Sequence, residues 1–306
     1  MRVCFGGTLY GNINTAVCLG NFDGIHIGHM EVLKVLINES RSRGFTSTLY
    51  NFTVHPDNVL QKHTPTPILT TIDKKIELLS KTALDFLYFD IFDFEYSRQS
   101  AEDFVKNIIV GRFGAMLVVV GEDYRFGYRA AGDVDYLRRS ATKFGFELHT
   151  VSPVILNKQT VSSTYIRQLI QEGSVDNAAA YLGRHYSLSG KVVQGKGLGR
   201  EIGYPTANIY PLKYAAIPEY GVYITKTGIN GELHKSVSNI GIKPGFNSGM
   251  PVIETHIIDF NSDIYGIDIE IFFWEKIRDE LSFDCPHDFK LQINKDVDNA
   301  KHYFEM

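Results

Sequence analysis

The hydrophobic pattern of this chain changes period once, and that change limits the fold more than any other feature. From residue 15 to residue 152, short apolar runs alternate with stretches at helical spacing. Thr15-Ala16-Val17-Cys18-Leu19, closed by Gly20, reads as a buried strand. Met30, Leu33, Leu36 and Ile37 then repeat at helical spacing over residues 29–43. Residues 47–52 are a second strand candidate, and Thr71 caps a helix bearing Ile72, Ile76 and Leu79 on one face. Residues 86–91 read as a strand. Ser100 and Asp103 make a capping-box pattern ahead of Phe104, Ile108 and Ile109, which repeat at about the helical period. Residues 116–120 and 147–151 close the series as strands. Strand, helix, strand, repeated, predicts a parallel sheet covered by helices. Residues 165–183 read as helical and stop at Leu182-Gly183. Past residue 184 the signals are short strands between Gly, Pro and Asn turns. Val222 and Ile224 alternate with other residues, as do Ile269, Ile271 and Phe273, predicting an antiparallel sheet or small barrel. From residue 286 a helical pattern returns. The expected domains are 1–184 and 185–306.

Composition narrows the function classes. The chain has 306 residues, 31 basic and 35 acidic, for a net charge of -4. With a pI near 6.2 it is not expected to take nucleic acid as its main partner, since such domains run above about 9. No apolar run approaches the roughly 18 residues of a membrane span, so no membrane partner is expected. The first residues lack the layout of a secretory signal. Cys4, Cys18 and Cys285 are odd in number and form no CxxC pair, which indicates neither a disulfide framework nor a zinc site. A cytoplasmic, reduced protein is expected. Self-association is left open.

Two segments carry chemistry. The first, Gly20-Asn21-Phe22-Asp23-Gly24-Ile25-His26-Ile27-Gly28-His29, joins the first strand to the first helix. In a parallel sheet that turn lies at the carboxyl ends of the strands, where ligands bind. Glycines let the backbone approach a phosphate, and the helix start offers free N–H groups. Two histidines three residues apart can stabilise charge on one phosphate group. They make a weak metal site, because no nearby carboxylate or cysteine completes it. The second segment, Gly195-Lys196-Gly197-Leu198-Gly199-Arg200-Glu201-Ile202-Gly203-Tyr204-Pro205-Thr206-Ala207-Asn208, does not match a Walker loop. Thr206 and Asn208 would share one strand face, and their oxygens can hold Mg²⁺ between ATP phosphates.

The first segment resembles the HxGH motif of the nucleotidyltransferases. In its wider context it is similar to the N-terminal module of the bacterial bifunctional riboflavin kinase/FMN adenylyltransferases. Two further motifs of that module follow, Gly121-Glu122-Asp123-Tyr124-Arg125-Phe126-Gly127 and Ser162-Ser163-Thr164-Tyr165-Ile166-Arg167. The second segment resembles the phosphate-binding arch of riboflavin kinases. Gly221-Val222-Tyr223, Asn239-Ile240-Gly241, Glu254-Thr255-His256-Ile257-Ile258-Asp259-Phe260 and Ile277-Arg278-Asp279-Glu280 follow in that family's order.

The resemblance implies a doubly wound, Rossmann-like α/β nucleotidyltransferase domain followed by a small antiparallel β-barrel kinase domain with a C-terminal helix. Riboflavin and ATP would give FMN, and FMN and a second ATP would give FAD and pyrophosphate. For the first domain it implies an ATP site of Gly20, Phe22, Asp23, Gly24, His26, His29, Ser162, Ser163, Thr164 and Arg167. His26 and His29 would be catalytic, and His55, Asp123, Phe126 and Gly127 would meet the flavin. For the second it implies an ATP site of Gly195, Lys196, Gly199, Arg200, Gly203, Pro205, Thr206 and Asn208, with Mg²⁺ on Thr206 and Asn208. Arg278, Glu280 and Phe283 would meet the flavin, and Glu254 would be the catalytic base. Mg²⁺ would arrive with ATP, and no tightly bound cofactor is expected. Three positions depart from the family pattern. Val54 stands for a proline, Tyr124 for a phenylalanine and Gly245 for a threonine. Gly245 removes a hydroxyl near the expected kinase pocket.

Overall fold

The computed structural model describes residues 1–7, 14–60, 64–195, 199, 203–242, 250–283 and 285–305. Lys196, Arg200 and Gly245 therefore lie outside the described residues. The chain divides into two compact units, Met1–Ser163 and Thr164–Met306.

The first unit is built on β1 (Arg2–Phe5), β2 (Thr15–Leu19), β3 (Thr46–Phe52), β4 (Phe86–Asp90), β5 (Ala115–Gly121) and β6 (Glu147–Val151). Their order is β1-β4-β3-β2-β5-β6, and every pairing is parallel. Helices α1 (Ile27–Arg43), α2 (Pro56–Leu60), α3 (Ile72–Ser80), α4 (Ala101–Asp103) and α5 (Val134–Phe144) lie between the strands in sequence. All five residues of β2 are buried, because both faces of the sheet are covered. Ala16 and Cys18 pack with Leu33, Leu36 and Leu79 of α1 and α3. Val17 and Leu19, on the other face, pack with Phe104, Val105, Ile108 and Leu137. From β2 the sheet grows through β3 one way and β5 the other, so the switch point lies at the carboxyl end of β2. The Gly20–His29 segment leaves the sheet there.

Two elements differ from the expected pattern. The helix begun by the Ser100 cap becomes a π-helix over Phe104–Arg112. Its wider turn brings the Lys106 carbonyl within 2.9 Å of where a Cβ on residue 111 would sit, which glycine alone tolerates. The strand β1 adds an edge beyond β4 that the sequence reading does not anticipate. A hairpin of β7 (Ile155–Leu156) and β8 (Gln159–Thr160) turns through Asn157 and Lys158, both at positive φ.

In the second unit the helical stretch 165–183 is broken. Helix α6 (Ser163–Gln171) starts at the division between the units, and α7 (Val175–Leu182) follows a turn at Gly173, φ +76°. Six antiparallel strands come next, β9 (Ser187–Lys191), β10 (Ala207–Ile209), β11 (Gly221–Ile229), β12 (Glu232–Ile242), β13 (Pro251–Ile257) and β14 (Asp268–Arg278). Their order is β10-β13-β12-β11-β14-β9. The free edges meet at a bridge in which the Val193 amide donates to the Asn208 carbonyl at 2.9 Å, so the sheet curls into a nearly closed barrel. Helix α8 (Pro286–Tyr303) packs Val297 and Ala300 against Val222, Ile224 and Val237 on one face.

The opposite face of these strands is the barrel interior, and it is partly polar. Thr225, Thr227, Ser236, Ser238 and Thr255 are all fully buried. Their hydroxyls bond one another: Thr225 lies 2.8 Å from Ser236 and 2.9 Å from Ser238, and Ser238 lies 2.7 Å from Thr255. Buried hydroxyls cost free energy unless paired, so this ladder favours one register of β11, β12 and β13. Ser238 is its centre. Ser238→Ala is expected to destabilise the second unit by about 1–3 kcal/mol, the scale for orphaning buried hydrogen-bonding groups. Urea unfolding followed by Trp274 fluorescence checks this, since Trp274 is the single tryptophan of the chain and lies on β14.

Candidate active sites

The turn after β2 is unusual in its backbone. Phe22, Gly24 and Ile25 all lie at positive φ, and only one of them is glycine. Such a turn persists only when its surroundings over-determine it. The Asp23 carboxylate, 3% exposed, accepts from the Leu69 and Thr70 amides at 3.0 Å and from the Thr70 hydroxyl at 3.1 Å. The same hydroxyl accepts from the Gly24 amide at 2.9 Å. The Asn21 carbonyl accepts from Lys75 Nζ at 2.8 Å and from Asn51 Nδ2 at 2.9 Å. Ser163 Oγ donates to the Asp23 carbonyl at 2.7 Å. Four separate segments thus hold one loop.

The rings of this loop form a stack. Phe22 lies on His29 at 4.6 Å between centroids, and His29 lies on His26 at 3.5 Å. Gly20 makes room for it, since a Cβ there would sit 2.7 Å from the Phe22 ring. His26 caps α1, its Nδ1 accepting from the His29 amide at 3.2 Å. With Nδ1 an acceptor, the ring proton sits on Nε2, which becomes a donor. The first turn of α1 holds no acidic residue, so the positive end of its dipole is not neutralised locally. A helix start, two imidazoles and close glycine backbone together suit a phosphate chain.

The structure changes the emphasis of several expected residues. Asp23 serves the loop through its carboxylate rather than presenting it. Phe126, expected at a flavin wall, is 7% exposed and packs against Phe104 and Tyr136 in the core. Gly127, at φ +72°, is required because a Cβ would meet the Ala101 backbone at 2.8 Å. The half-buried ring of this turn is Tyr124, stacked on Phe126 at 5.7 Å. Asp123 is exposed beside Gly121. His55 Nδ1 accepts from the Asp57 amide at 3.3 Å, and Val54 is 43% exposed. Ser162 and Ser163 precede the division between the units, whereas Thr164 and Arg167 lie beyond it on α6. Sequence reasoning missed Asn51, Thr70 and Lys75. Lys75 carried a signal, because it sits among Ile72, Ile76 and Leu79 on the apolar face of α3.

In the second unit, strand register assembles the site. Asn208 on β10 stands opposite Glu254 on β13, and Glu254 stands opposite Asn239 on β12. Asn239 in turn pairs with Val222, and Val222 with Arg278. Residues directly opposite share a face, so one row across the barrel carries an amide, a carboxylate, a second amide and a guanidinium. This is the face that α8 covers. A cavity of about 110 Å³ lies here, lined by Thr206, Glu254, Arg278, Glu280 and Phe283 and, from α8, by Phe289, Ile293, Asp296 and Val297. A larger cavity, about 380 Å³, shares Thr206 and extends past Pro205 to residues 260–265. Gly195 is needed at its place, since a Cβ would sit 2.6 Å from Asn208 Nδ2. The Gly199 carbonyl accepts from the Tyr204 amide at 2.7 Å, and Gly203 takes φ +93°. His256 Nδ1 lies 2.9 Å from the Pro205 carbonyl, and burial pushes the imidazole below its usual range. A neutral imidazole at that distance donates to the carbonyl and fixes the backbone just before Thr206. Glu280 accepts from Asn239 Nδ2 at 3.1 Å and leaves no space for a side chain at Gly241. Arg278, expected to meet a flavin, instead turns its guanidinium to Asp296 on α8, Nη2 to Oδ2 at 2.7 Å.

Comparisons with known proteins find a family match in each part of the chain. Residues 11–165 match a family model described as FAD synthetase, and residues 182–304 match one described as riboflavin kinase. A bifunctional riboflavin kinase/FMN adenylyltransferase of Buchnera aphidicola is 34% identical over 299 residues, covering 96% of each chain. One from Listeria monocytogenes is 34% identical, covering 96% of this chain and 93% of its own. One from Escherichia coli is 31% identical, covering 94% and 91%. A crystal structure from Streptococcus pneumoniae, described as a macrolide-efflux protein, superposes with a TM-score of 0.89 at 28% identity, covering 98% of this chain and 99% of its own. Among the described residues no helix is long and apolar enough to cross a membrane. The chain belongs to the bifunctional riboflavin kinase/FMN adenylyltransferases, which phosphorylate riboflavin to FMN and adenylylate FMN to FAD.

Proposed function

We propose that adenylyl transfer takes place at the Gly20–His29 loop and riboflavin phosphorylation at the Asn208–Glu254–Asn239 row, within domains 1–184 and 185–306. The observation that carries this reading is the row itself. Strand register aligns a carboxylate with two amides beside a cavity that Thr206, Glu280 and Phe283 also line.

At the first site a phosphate oxygen of FMN attacks the α-phosphorus of ATP, and the bond to the departing pyrophosphate breaks. No protein nucleophile is needed, so catalysis is positioning and charge stabilisation. His26 Nε2–H, His29 and the first amides of α1 receive the triphosphate. Ser162 and Ser163 add hydroxyls there. Gly20, Phe22, Asp23 and Gly24 keep this surface in place. Tyr124 and His55 border the flavin, with Asp123 at its edge and Phe126 and Gly127 behind them.

At the second site Glu254 accepts the proton of the terminal ribityl hydroxyl as its oxygen bonds to the γ-phosphorus. Pro205, Gly195, Gly199 and Gly203 shape the approach of ATP, with the larger cavity for the nucleotide. Thr206 and Asn208 fit a magnesium ion delivered with ATP. Asn208 Nδ2 donates to the Thr206 carbonyl at 3.3 Å, which leaves Oδ1 as the amide atom able to meet a cation. Two neutral oxygens need phosphates and water to complete six-fold coordination, as is usual for magnesium. Among the described residues no cluster of three His, Cys, Asp or Glu side chains could hold a metal ion. Bound there, the ion would neutralise charge on the transferring phosphates. Cys4, Cys18 and Cys285 are all unpaired, which supports a reducing cytoplasmic setting.

Two substitutions separate the sites. His29→Ala is expected to lower FMN adenylylation by about 10²-fold or more, the scale of one lost charge-stabilising group. Riboflavin phosphorylation by the same protein stays at its original rate, and flavin chromatography follows both. Glu254→Gln is expected to abolish FMN formation from riboflavin and to leave FMN-to-FAD conversion intact. Kinase turnover surviving in that variant would remove Glu254 as the base.

A further inference from the structure

Arg278 ends β14 beside the kinase cavity, yet all three guanidinium nitrogens are engaged within the protein. Nε donates to both oxygens of Asp296 at 3.2 Å, Nη2 donates to Oδ2 at 2.7 Å, and Nη1 donates to the Asp279 carbonyl at 2.9 Å. Asp296 is 2% exposed and takes a further bond from Gln292 Nε2 at 2.9 Å. A fork-to-carboxylate pair of this kind fixes direction as well as distance. A buried pair also resists sliding, because parting the partners leaves a charge without its counter-ion.

The two partners belong to opposite walls of the cavity. Arg278 stands on the barrel row, and the segment it leads into supplies Glu280, Leu281 and Phe283. Asp296 stands on α8, whose Phe289, Ile293 and Val297 line the facing wall at helical spacing. Glu280 is separately tied to Asn239, the neighbour of Glu254 in the row. The Arg278–Asp296 pair therefore ties α8 to the 279–283 segment, alongside the Phe283–Phe289 ring contact at 5.3 Å between centroids.

We propose that Asp296 is a positioning residue of the kinase site. Acting through Arg278, it sets the gap between α8 and the 279–283 segment into which the flat, largely apolar ring of riboflavin slots. The proposal rests on reading this cavity as the riboflavin site. Arg278 is then a brace rather than a flavin ligand, and Asp296 touches neither reacting atom.

The test uses the full chain with Asp296→Asn and Asp296→Glu. Initial rates of riboflavin phosphorylation are taken as the sum of FMN and FAD, over a range of riboflavin concentrations. Asp296→Asn is expected to raise KM for riboflavin about tenfold or more, the scale of a lost charge-assisted contact, with a much smaller change in kcat. Asp296→Glu recovers part of the KM, and FMN adenylylation is unchanged in both. Trp274 emission reports whether the barrel still packs on α8, because its ring meets Phe304 at 5.5 Å. Unchanged KM in folded Asp296→Asn overturns the proposal. If that variant does not fold, Gln292→Ala removes a single bond to Asp296, and a several-fold rise in KM is expected; an unchanged KM there overturns the proposal equally. Glu254→Gln runs alongside. Retained kinase activity in it overturns the reading of the cavity and this proposal with it, whereas its loss beside an unchanged KM in the Asp296 variant overturns this proposal alone.

Discussion

The carboxylate of Asp23 is the contact on which the first site rests. The turn it anchors contains Phe22 and Ile25 in left-handed backbone, each a cost of about 1–3 kcal/mol for a residue with a side chain. Nothing local offsets that. The offset comes from the Leu69 and Thr70 donors, from Lys75 and Asn51 on the Asn21 carbonyl, and from Ser163 on the Asp23 carbonyl. Once the turn is held, His26 can cap α1, and the ring stack with His29 and Phe22 follows. The proposed adenylyl transfer uses no protein nucleophile, and charge placed in advance on a rigid loop is what such a step asks of the protein.

The second unit meets the same demand through register. Pairing of β10, β13 and β12 lines up Asn208, Glu254 and Asn239 on one face. On the other face the buried hydroxyls of Ser238, Thr225 and Thr255 would lose their partners if a strand slipped. A slip of one residue would turn Glu254 into the barrel and Thr255 toward α8. Polar groups inside the barrel thus protect the order of polar groups outside it. The Arg278–Asp296 pair extends this logic to the helix that covers the row.

Much of this was legible in the sequence. The strands β2 and β5 are buried on both faces, so they appear as unbroken apolar runs. The family resemblance points to Thr206, Glu254, Glu280 and Phe283, and one cavity is lined by all four. The rest was hidden for identifiable reasons. Strand β1 has four residues at an edge, too few to display a period. Phe104, Ile108 and Ile109 suit an α-helix and a π-helix equally well. The break at Gly173 lies inside an otherwise helical pattern, where a glycine alone decides little. The family resemblance points Phe126 and Arg278 at a flavin, but an aromatic ring can serve the core and an arginine can serve a helix. Asp296 gave no signal, because its partner lies on another element and a lone aspartate on a helix reads as solvated.

The central claim is that one chain holds two complete and independent sites. Mixing the two single-site variants tests it most directly. Incubated alone with riboflavin, ATP and Mg²⁺, His29→Ala should accumulate FMN with FAD formation slowed about 10²-fold or more, and Glu254→Gln should make no FAD. An equimolar mixture should make it, because FMN released by the first is taken up by the second. A mixture that yields no FAD, although each variant retains its remaining activity, would contradict the account. So would FAD formed from riboflavin at the original rate by His29→Ala alone, or at any rate by Glu254→Gln alone.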